Sequence, residues 1–277
     1  SNLVLNHDYE ELGSELVTNG GFSQIGSELV ANGSFSNNAN GWTRNNSAWS
    51  FSSDKAFYDN SSQNGYIINT SSGNIVQGKI YKVTFEIGDD IAKIGFAAVS
   101  GAHLFKPNNN YTNDYSIGNH ELYLEALTSS NNGFLIYGFT SGQSFSIDNV
   151  SVKEVGQDWT LGGEAQFNNG LIHFESNTNT YSYIRQDISS LTTKFYKIQV
   201  EVKNYVSGAI QVGFSGSSPN LQNINATSDG IYTVYLKPNS NGDDLEISRE
   251  YSGGNFNFDI TNISVKEVGQ HWTFGTG

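Results

Sequence analysis

Residues that could do chemistry are few in this chain, and their spacing does not favour it. The adjacent acidic pairs Asp89-Asp90 and Asp243-Asp244 are the first places to look for general acid and base groups. A glycosidic pair must face across a cleft at roughly 5 to 10 Å, and both pairs here sit among Gly or Asn, where Asp serves turn geometry. The histidines His7, His103, His120, His173 and His271 show no metal-ligand spacing. Cysteine is absent, and neither a Gly-x-Ser-x-Gly elbow nor a phosphate-binding glycine loop occurs. The chain therefore reads as a non-enzyme.

Aromatic and uncharged polar residues remain, and their chemistry is recognition by stacking and by forked hydrogen bonds. Trp-Thr recurs at Trp42, Trp159 and Trp272, at spacings of 117 and 113 residues. A fixed place in a repeat points to packing, within a core or between modules. Aromatics that differ between the repeats and lie in polar surroundings are better ligand platforms. These are Trp49 and Tyr58, Tyr111 and Tyr115 in an Asn-rich stretch, and Tyr181, Tyr183 and Tyr251. Arg185 joins them because a planar guanidinium pairs with hydroxyls or carboxylates. For Arg185, as for Arg249, a solvated surface ion pair is the competing use.

Such residues need rigid elements to hold them, and the composition says which kind. The 277 residues carry 14 basic and 27 acidic groups, a net charge of −13, with no basic stripe. That argues against nucleic acid and anionic membrane partners. Phe and Tyr supply 17 and 15 residues in alternating runs, enough to fill sheet cores. No apolar stretch approaches the length of a membrane-spanning helix and no signal-peptide pattern is present. The first residue, Ser1, is expected not to be the first codon.

Repeats organise the chain. Ser151-Val152-Lys153-Glu154-Val155-Gly156-Gln157 returns unchanged at Ser264–Gln270, just before the next Trp-Thr. Strand-like segments between them recur in order: Tyr183-Ile184-Arg185-Gln186 answers Tyr66-Ile67-Ile68-Asn69, and Phe258–Ile263 answers Phe145–Val150. In Tyr81–Ile87 the odd positions are apolar and the even ones polar, the period of a strand with one wet face. No segment sustains a helical period. The expected fold is all-β, two tandem jelly-roll or Greek-key β-sandwich modules over 27–157 and 158–277. Residues 271–277 either begin a third repeat or fold back onto the second.

Residues 1–26 are expected to form an extended N-terminal arm. Gly13–Ser23 and Gly26–Ser36 are near copies, each a short strand leading to an Asn-Gly turn and a Phe. One module needs one such strand, so the first copy reads as surplus: a loose remnant, or an arm that adds a strand to a neighbouring subunit.

Leu29–Phe35, the Gly41-Trp42 pair and Ile147–Val152 together resemble carbohydrate-binding modules of the galactose-binding-like jelly roll, families four and nine above all. With Lys-Glu-Val following, they are also similar to repeat modules of bacteriophage tail, fibre and virion-surface proteins. The resemblance implies a structural calcium in the first module, with Asp148 as a ligand, although Ser36 stands where the family has an acidic residue and Thr261 replaces Asp148 in the second module. It further implies a non-catalytic, extracellular or virion-surface protein that binds glycan or polysaccharide weakly and multivalently. Two other readings stay open. One is a structural fibre, filament or capsid-decorating subunit that assembles with copies or virion neighbours through its arm. The other is a set of accessory modules of a secreted polysaccharide-degrading enzyme.

Overall fold

Strict alternation is what the backbone obeys. In Ile80–Gly88, Tyr81, Val83, Phe85 and Ile87 are buried while the residues between them are half-exposed. The computed structural model describes residues 12–36, 39–60, 63–70, 75–99, 102–103, 105–106, 113–129, 133–178, 180–250 and 254–269, and among them every regular element is a β-strand. The described chain is all-β, in antiparallel sheets that pair into sandwiches.

Residues from Ile25 to Gln157 form one compact unit. Its first sheet runs, edge to edge, through Phe105–Lys106, Gly118–Ala126, Ile80–Gly88, Phe145–Val155, Lys55–Tyr58 and Trp49–Ser52. Its second runs through Asn113–Tyr115, Ala92–Val99, Phe134–Gly138, Gly65–Asn69 and Trp42–Arg44. Apolar residues from both sheets, among them Val83, Ile147 and Val152 from the first and Ile67, Ile94 and Phe134 from the second, make one buried cluster.

The other unit joins the segment ending at Gln24 to the chain from Asp158 onward. One sheet is Ala165–Asn168, Leu171–Ser176, Phe256–Val268, Phe195–Ser207 and Gly230–Leu236 in that order. The second is Thr160–Gly162, Tyr183–Gln186, Asp244–Arg249, Ile210–Ser215 and Asn220–Asn223. Tyr196 of the first and Phe214 of the second meet in the core with ring centroids 5.5 Å apart.

This division corrects the expected arm. Leu12–Glu15 pairs antiparallel with Phe256–Val268, Leu12 opposite Val268 and Glu15 opposite Lys266. Ile25–Glu28 pairs with Phe145–Val155 in the same manner, Glu28 opposite Lys153. The first copy is therefore not surplus: it is the lead strand of the 158–269 body, and the second copy is the lead strand of the 42–157 body. The first module is inserted between the lead strand of the second module and the rest of it. Each body has its own closing strand with a vacant half-edge beside Ser-Val-Lys-Glu-Val, and backbone N–H and C=O groups buried there need partners. A lead strand supplies them.

The two lead segments bind alike. Leu29 and Leu16 donate their N–H to Val152 and Val265 carbonyls, both at 2.9 Å. The Glu28 carboxylate accepts the Val152 N–H at 2.8 Å and the Ser151 hydroxyl at 2.5 Å, and Glu15 accepts from Val265 and Ser264 at 2.7 and 2.6 Å. The chain then turns through Asn32 and Asn19, both left-handed at φ 53° and 50°, a conformation Asn tolerates better than most residues. Phe35 and Phe22 drop into the core beside Trp42 and Trp159, with centroids 5.0 and 5.4 Å apart. Each indole N–H donates to the turn Asn carbonyl, Trp42 to Asn32 at 3.0 Å and Trp159 to Asn19 at 3.1 Å. These tryptophans are thus packing residues, as their repeat position suggests; Trp272 and residues 271–277 lie outside the described residues.

Candidate functional site

The second sheet of the 158–269 unit turns one face to the core and the other outward. Along Tyr183–Gln186, Ile184 and Gln186 are buried and Tyr183 and Arg185 point the other way, as period two requires. The neighbouring Asp244–Arg249 strand sets Glu246 opposite Arg185 and Ser248 opposite Tyr183. On the far side Gly162 lies opposite Tyr183, and a Cβ there would sit 2.4 Å from the Tyr183 ring. Glycine at 162 is what lets the ring lie across the adjacent strand.

These positions converge on one carboxylate. Glu246 is fully buried and receives Arg185 Nε at 2.7 Å on Oε2 and the Tyr181 hydroxyl on Oε1. The Arg185 guanidinium stacks over Tyr183 at 4.0 Å from the ring centroid, and the Tyr181 and Tyr183 rings stand 5.4 Å apart. Burial raises the Tyr181 pKa, and the bond to Glu246 adds to the rise. Burial works against the Arg185 charge, but the Glu246 hydrogen bond and charge outweigh it, so its pKa stands above the ordinary arginine value. The cluster is charge-compensated and presents two half-exposed phenol rings and one guanidinium face.

Tyr181, Tyr183 and Arg185 are thus brought together, and Glu246 is the partner that sequence reasoning missed. Its signal was available, since an acid between Leu245 and Ile247 must lie on the face opposite those residues. Arg185 is not the solvated surface pair considered as its alternative, because its partner is sealed from water. Arg249 is buried as well, donating to the Gly254 carbonyl at 2.9 Å with its guanidinium over Phe256.

Other candidates do not survive as ligand platforms. Trp49 and Tyr58 are cross-strand partners in the core of the 25–157 unit, 0 % and 1 % exposed, and both rings pack on Phe145. Alternation placed their bulk inward, where burying a large ring is worth about 1.5 to 3 kcal/mol. Tyr115 is buried against Phe85 and His120. Tyr111 and Tyr251 lie outside the described residues.

In the 25–157 unit the equivalent positions are aromatic and aliphatic, with Leu135 fully buried and Tyr66, Ile68 and Tyr137 partly buried. Tyr66 and Ile68 stand where Tyr183 and Arg185 are, opposite Tyr137 and Leu135. The Tyr66 and Tyr137 rings are 5.1 Å apart, and Phe139 stacks on Tyr137 at 6.2 Å. Neither Tyr66 nor Tyr137 was singled out from sequence, because both fit an ordinary strand pattern.

Asp148 sits at a bulge in the closing strand, where Asn149 is left-handed at φ 52°. Its Oδ1 accepts the Asn149 N–H at 2.7 Å, and the Asn149 amide donates to Glu86 Oε2 at 3.0 Å. Burial raises the Asp148 pKa, with the Glu86 charge contributing. Among the described residues no group of three acidic, histidine or cysteine side chains gathers to hold a metal. Calcium takes about six to eight oxygens; here Asn149 engages one carboxylate oxygen of Asp148 and one of Glu86.

No family model matches the chain, and no curated protein matches it. Solved structures similar to it include the tandem CBM22-1–CBM22-2 domain of Paenibacillus barcinonensis Xyn10C, at 10 % identity and TM-score 0.31, covering 88 % of this chain and 98 % of that one. The adhesin domain of Epf from Streptococcus pyogenes is 12 % identical at TM-score 0.31, covering 96 % and 98 %. The tandem CBM51 modules of Sp3GH98 from Streptococcus pneumoniae are 11 % identical at TM-score 0.23, covering 87 % and 96 %. The architecture of this chain rests on its own strand pairing rather than on these likenesses.

Proposed function

We propose that this chain is a non-catalytic glycan-binding protein of an extracellular or virion surface, with the outward sheet face of each module as its recognition surface. The observation that carries the reading is the Tyr181, Tyr183, Arg185 and Glu246 cluster. Phenol rings present flat apolar faces to the C–H faces of sugar rings, and the guanidinium offers donors for hydroxyls. Fixing Arg185 through a buried carboxylate removes the entropy cost of ordering it at binding. Two modules with different faces favour weak, multivalent attachment, in which avidity replaces single-site affinity.

A glycan array followed by titration calorimetry tests this. Binding is expected in the intact chain, with at least a tenfold loss in Tyr183→Ala. Silence of the folded chain against every neutral and acidic polysaccharide on the array would overturn the proposal.

A further inference from the structure

We propose that the outer edge of the Gly230–Leu236 strand is a self-association site, where a second copy of this chain pairs antiparallel about Thr233 and continues the sheet. The strand is the last of its sheet, and among the described residues none pairs with its other edge. Exposed edges normally carry a charge, a proline or a bulge that discourages pairing. Here Gly-Ile-Tyr-Thr-Val-Tyr-Leu contains neither charge nor proline. Its register on Phe195–Ser207 runs unbroken from Tyr196 opposite Leu236 to Val202 opposite Gly230.

The first module carries the same strand and protects it. Tyr81 and Tyr196 mark the equivalent place. Each hydroxyl accepts the N–H five residues earlier, of Val76 at 2.8 Å and of Leu191 at 3.0 Å, and the two stand opposite Leu124 and Leu236. Three residues before each leucine, Glu121 therefore occupies the position of Thr233. Two copies pairing there would bring Glu121 against itself, and like charges directly opposite are destabilising. Phe105–Lys106 also pairs with that edge, Phe105 opposite Ala126 and Lys106 opposite Glu125. Among the described residues the second module has neither device.

What faces outward along the open edge is complementary to itself. Asp229, Ile231, Thr233, Tyr235 and Lys237 are all exposed, Ile231 by 66 % and Tyr235 by 59 %. A two-fold axis at Thr233 sets Lys237 opposite Asp229 of the second copy, Tyr235 opposite its Ile231 and Thr233 opposite its Thr233. Opposite charges, an aromatic with a β-branched residue, and Thr with Thr are the favoured kinds of cross-strand pair. In-register parallel pairing would instead set Asp229 against Asp229 and Lys237 against Lys237, and a slip by one residue would turn the side chains to the wrong face. Asp229 is steadied by the Tyr205 N–H, which it accepts at 2.9 Å, and Lys237 Nζ lies 5.6 Å from the Phe195 ring centroid. The pairing is isologous and closed, because each copy covers the edge of the other.

Sedimentation of the 277-residue chain across the micromolar range tests this, with thermal unfolding to check that each variant folds. The parent is expected to form a concentration-dependent dimer. Thr233→Glu, which imports the first module's residue, should weaken it roughly tenfold or more, since two like charges then meet on the axis. Asp229→Lys and Lys237→Asp should each weaken it by a similar factor. Mixing these two variants should restore a dimer, because an edge with two acids then faces an edge with two lysines. A parent chain that stays monomeric, its edge left to another strand or to none, overturns the proposal. So does a dimer that folded Thr233→Glu leaves intact, or a mixture that associates no better than its components.

Discussion

The two modules share a frame and differ on their outward faces, and the contrast separates what holds this protein together from what it presents. Asn69 clamps the lead segment of its module through the Ala31 backbone, donating to its carbonyl at 2.7 Å, and Gln186 does the same at Thr18, donating at 2.9 Å and accepting at 2.8 Å. Glu28 and Glu15 make matching bonds to the repeated Ser-Val. Yet Ile68 and Leu135 in one module stand where the other has Arg185 and Glu246, and Phe57 and Ser146 stand where the other has His173 and Asp259. Within the seven residues repeated at 151 and 264, the Ser-Val pair of each copy meets the same lead-segment groups, Glu28 and Leu29 in one module and Glu15 and Leu16 in the other.

The most forceful way to break the equivalence is to remove one lead anchor at a time. Phe22→Ala should destabilise the 158–269 body by about 3 to 5 kcal/mol, the usual cost of emptying a phenylalanine site, and leave 42–157 untouched. Phe35→Ala should do the reverse. Denaturant unfolding followed by limited proteolysis would assign each transition. An effect of Phe22→Ala on the 42–157 body would show that the lead strands are assigned to the wrong modules.

This nesting is where sequence reasoning fell short. Alternation made the strands legible, and the all-β sandwich followed from it, because period two is a local property. The destination of Gly13–Ser23 was not legible, since two nearly identical segments can pair with two nearly identical closing strands and only three-dimensional closure selects between them. The candidate cluster divides along the same line. Tyr181, Tyr183 and Arg185 lie close in sequence, while Glu246 reaches them only through strand pairing. Trp49 and Tyr58 were misplaced because aromatic character in a polar stretch does not reveal which face of a strand a ring takes.

The faces themselves can be exchanged. Arg185→Ala leaves the Glu246 carboxylate buried without its ion partner and should cost the 158–269 body about 3 kcal/mol, as removal of one member of a buried pair does. Importing the other module's pair, Arg185→Ile with Glu246→Leu, should be close to neutral, because the desolvation cost of both charges disappears together. Thermal unfolding of the single and double variants gives the answer. A double variant as unstable as the single would mean that the pair is structural and that the two faces are not interchangeable.

A smaller effect comes from the lead clamps. Gln186→Ala removes the bonds that this buried side chain makes to the Thr18 N–H and carbonyl and to the Asp158 carbonyl, the latter at 3.1 Å. About 1 kcal/mol should be lost from the 158–269 body, the usual net worth of such hydrogen bonds. Asn69→Ala should cost the 42–157 body a similar amount, and Gln186→Asn should lose less than Gln186→Ala if the amide rather than the packing matters. Urea midpoints of the three variants, compared with the parent at a common slope, make that distinction.

The smallest expected difference is in pH dependence, and it follows from the other sheet. His173 Nδ1 lies 2.6 Å from Asp259 Oδ1 and Nε2 lies 3.3 Å from Glu175 Oε2, with the Asn204 amide on the remaining Asp259 oxygen at 2.6 Å. Burial opposes the His173 charge, but the hydrogen bonds to Asp259 and Glu175 outweigh it, so its pKa is raised in the fold. A raised histidine pKa contributes stability fully below the unfolded value, near 6.5, and loses it as pH climbs through the higher folded value. The 158–269 body should therefore lose this contribution as pH rises from about 6.5 through the raised folded value, while the 42–157 body, with Phe57 and Ser146 at the same register, lacks it. His173→Gln should flatten the slope of the first body without altering the second. If unfolding midpoints of the two bodies track each other across that range in the parent, the His173 contacts do not differentiate the modules.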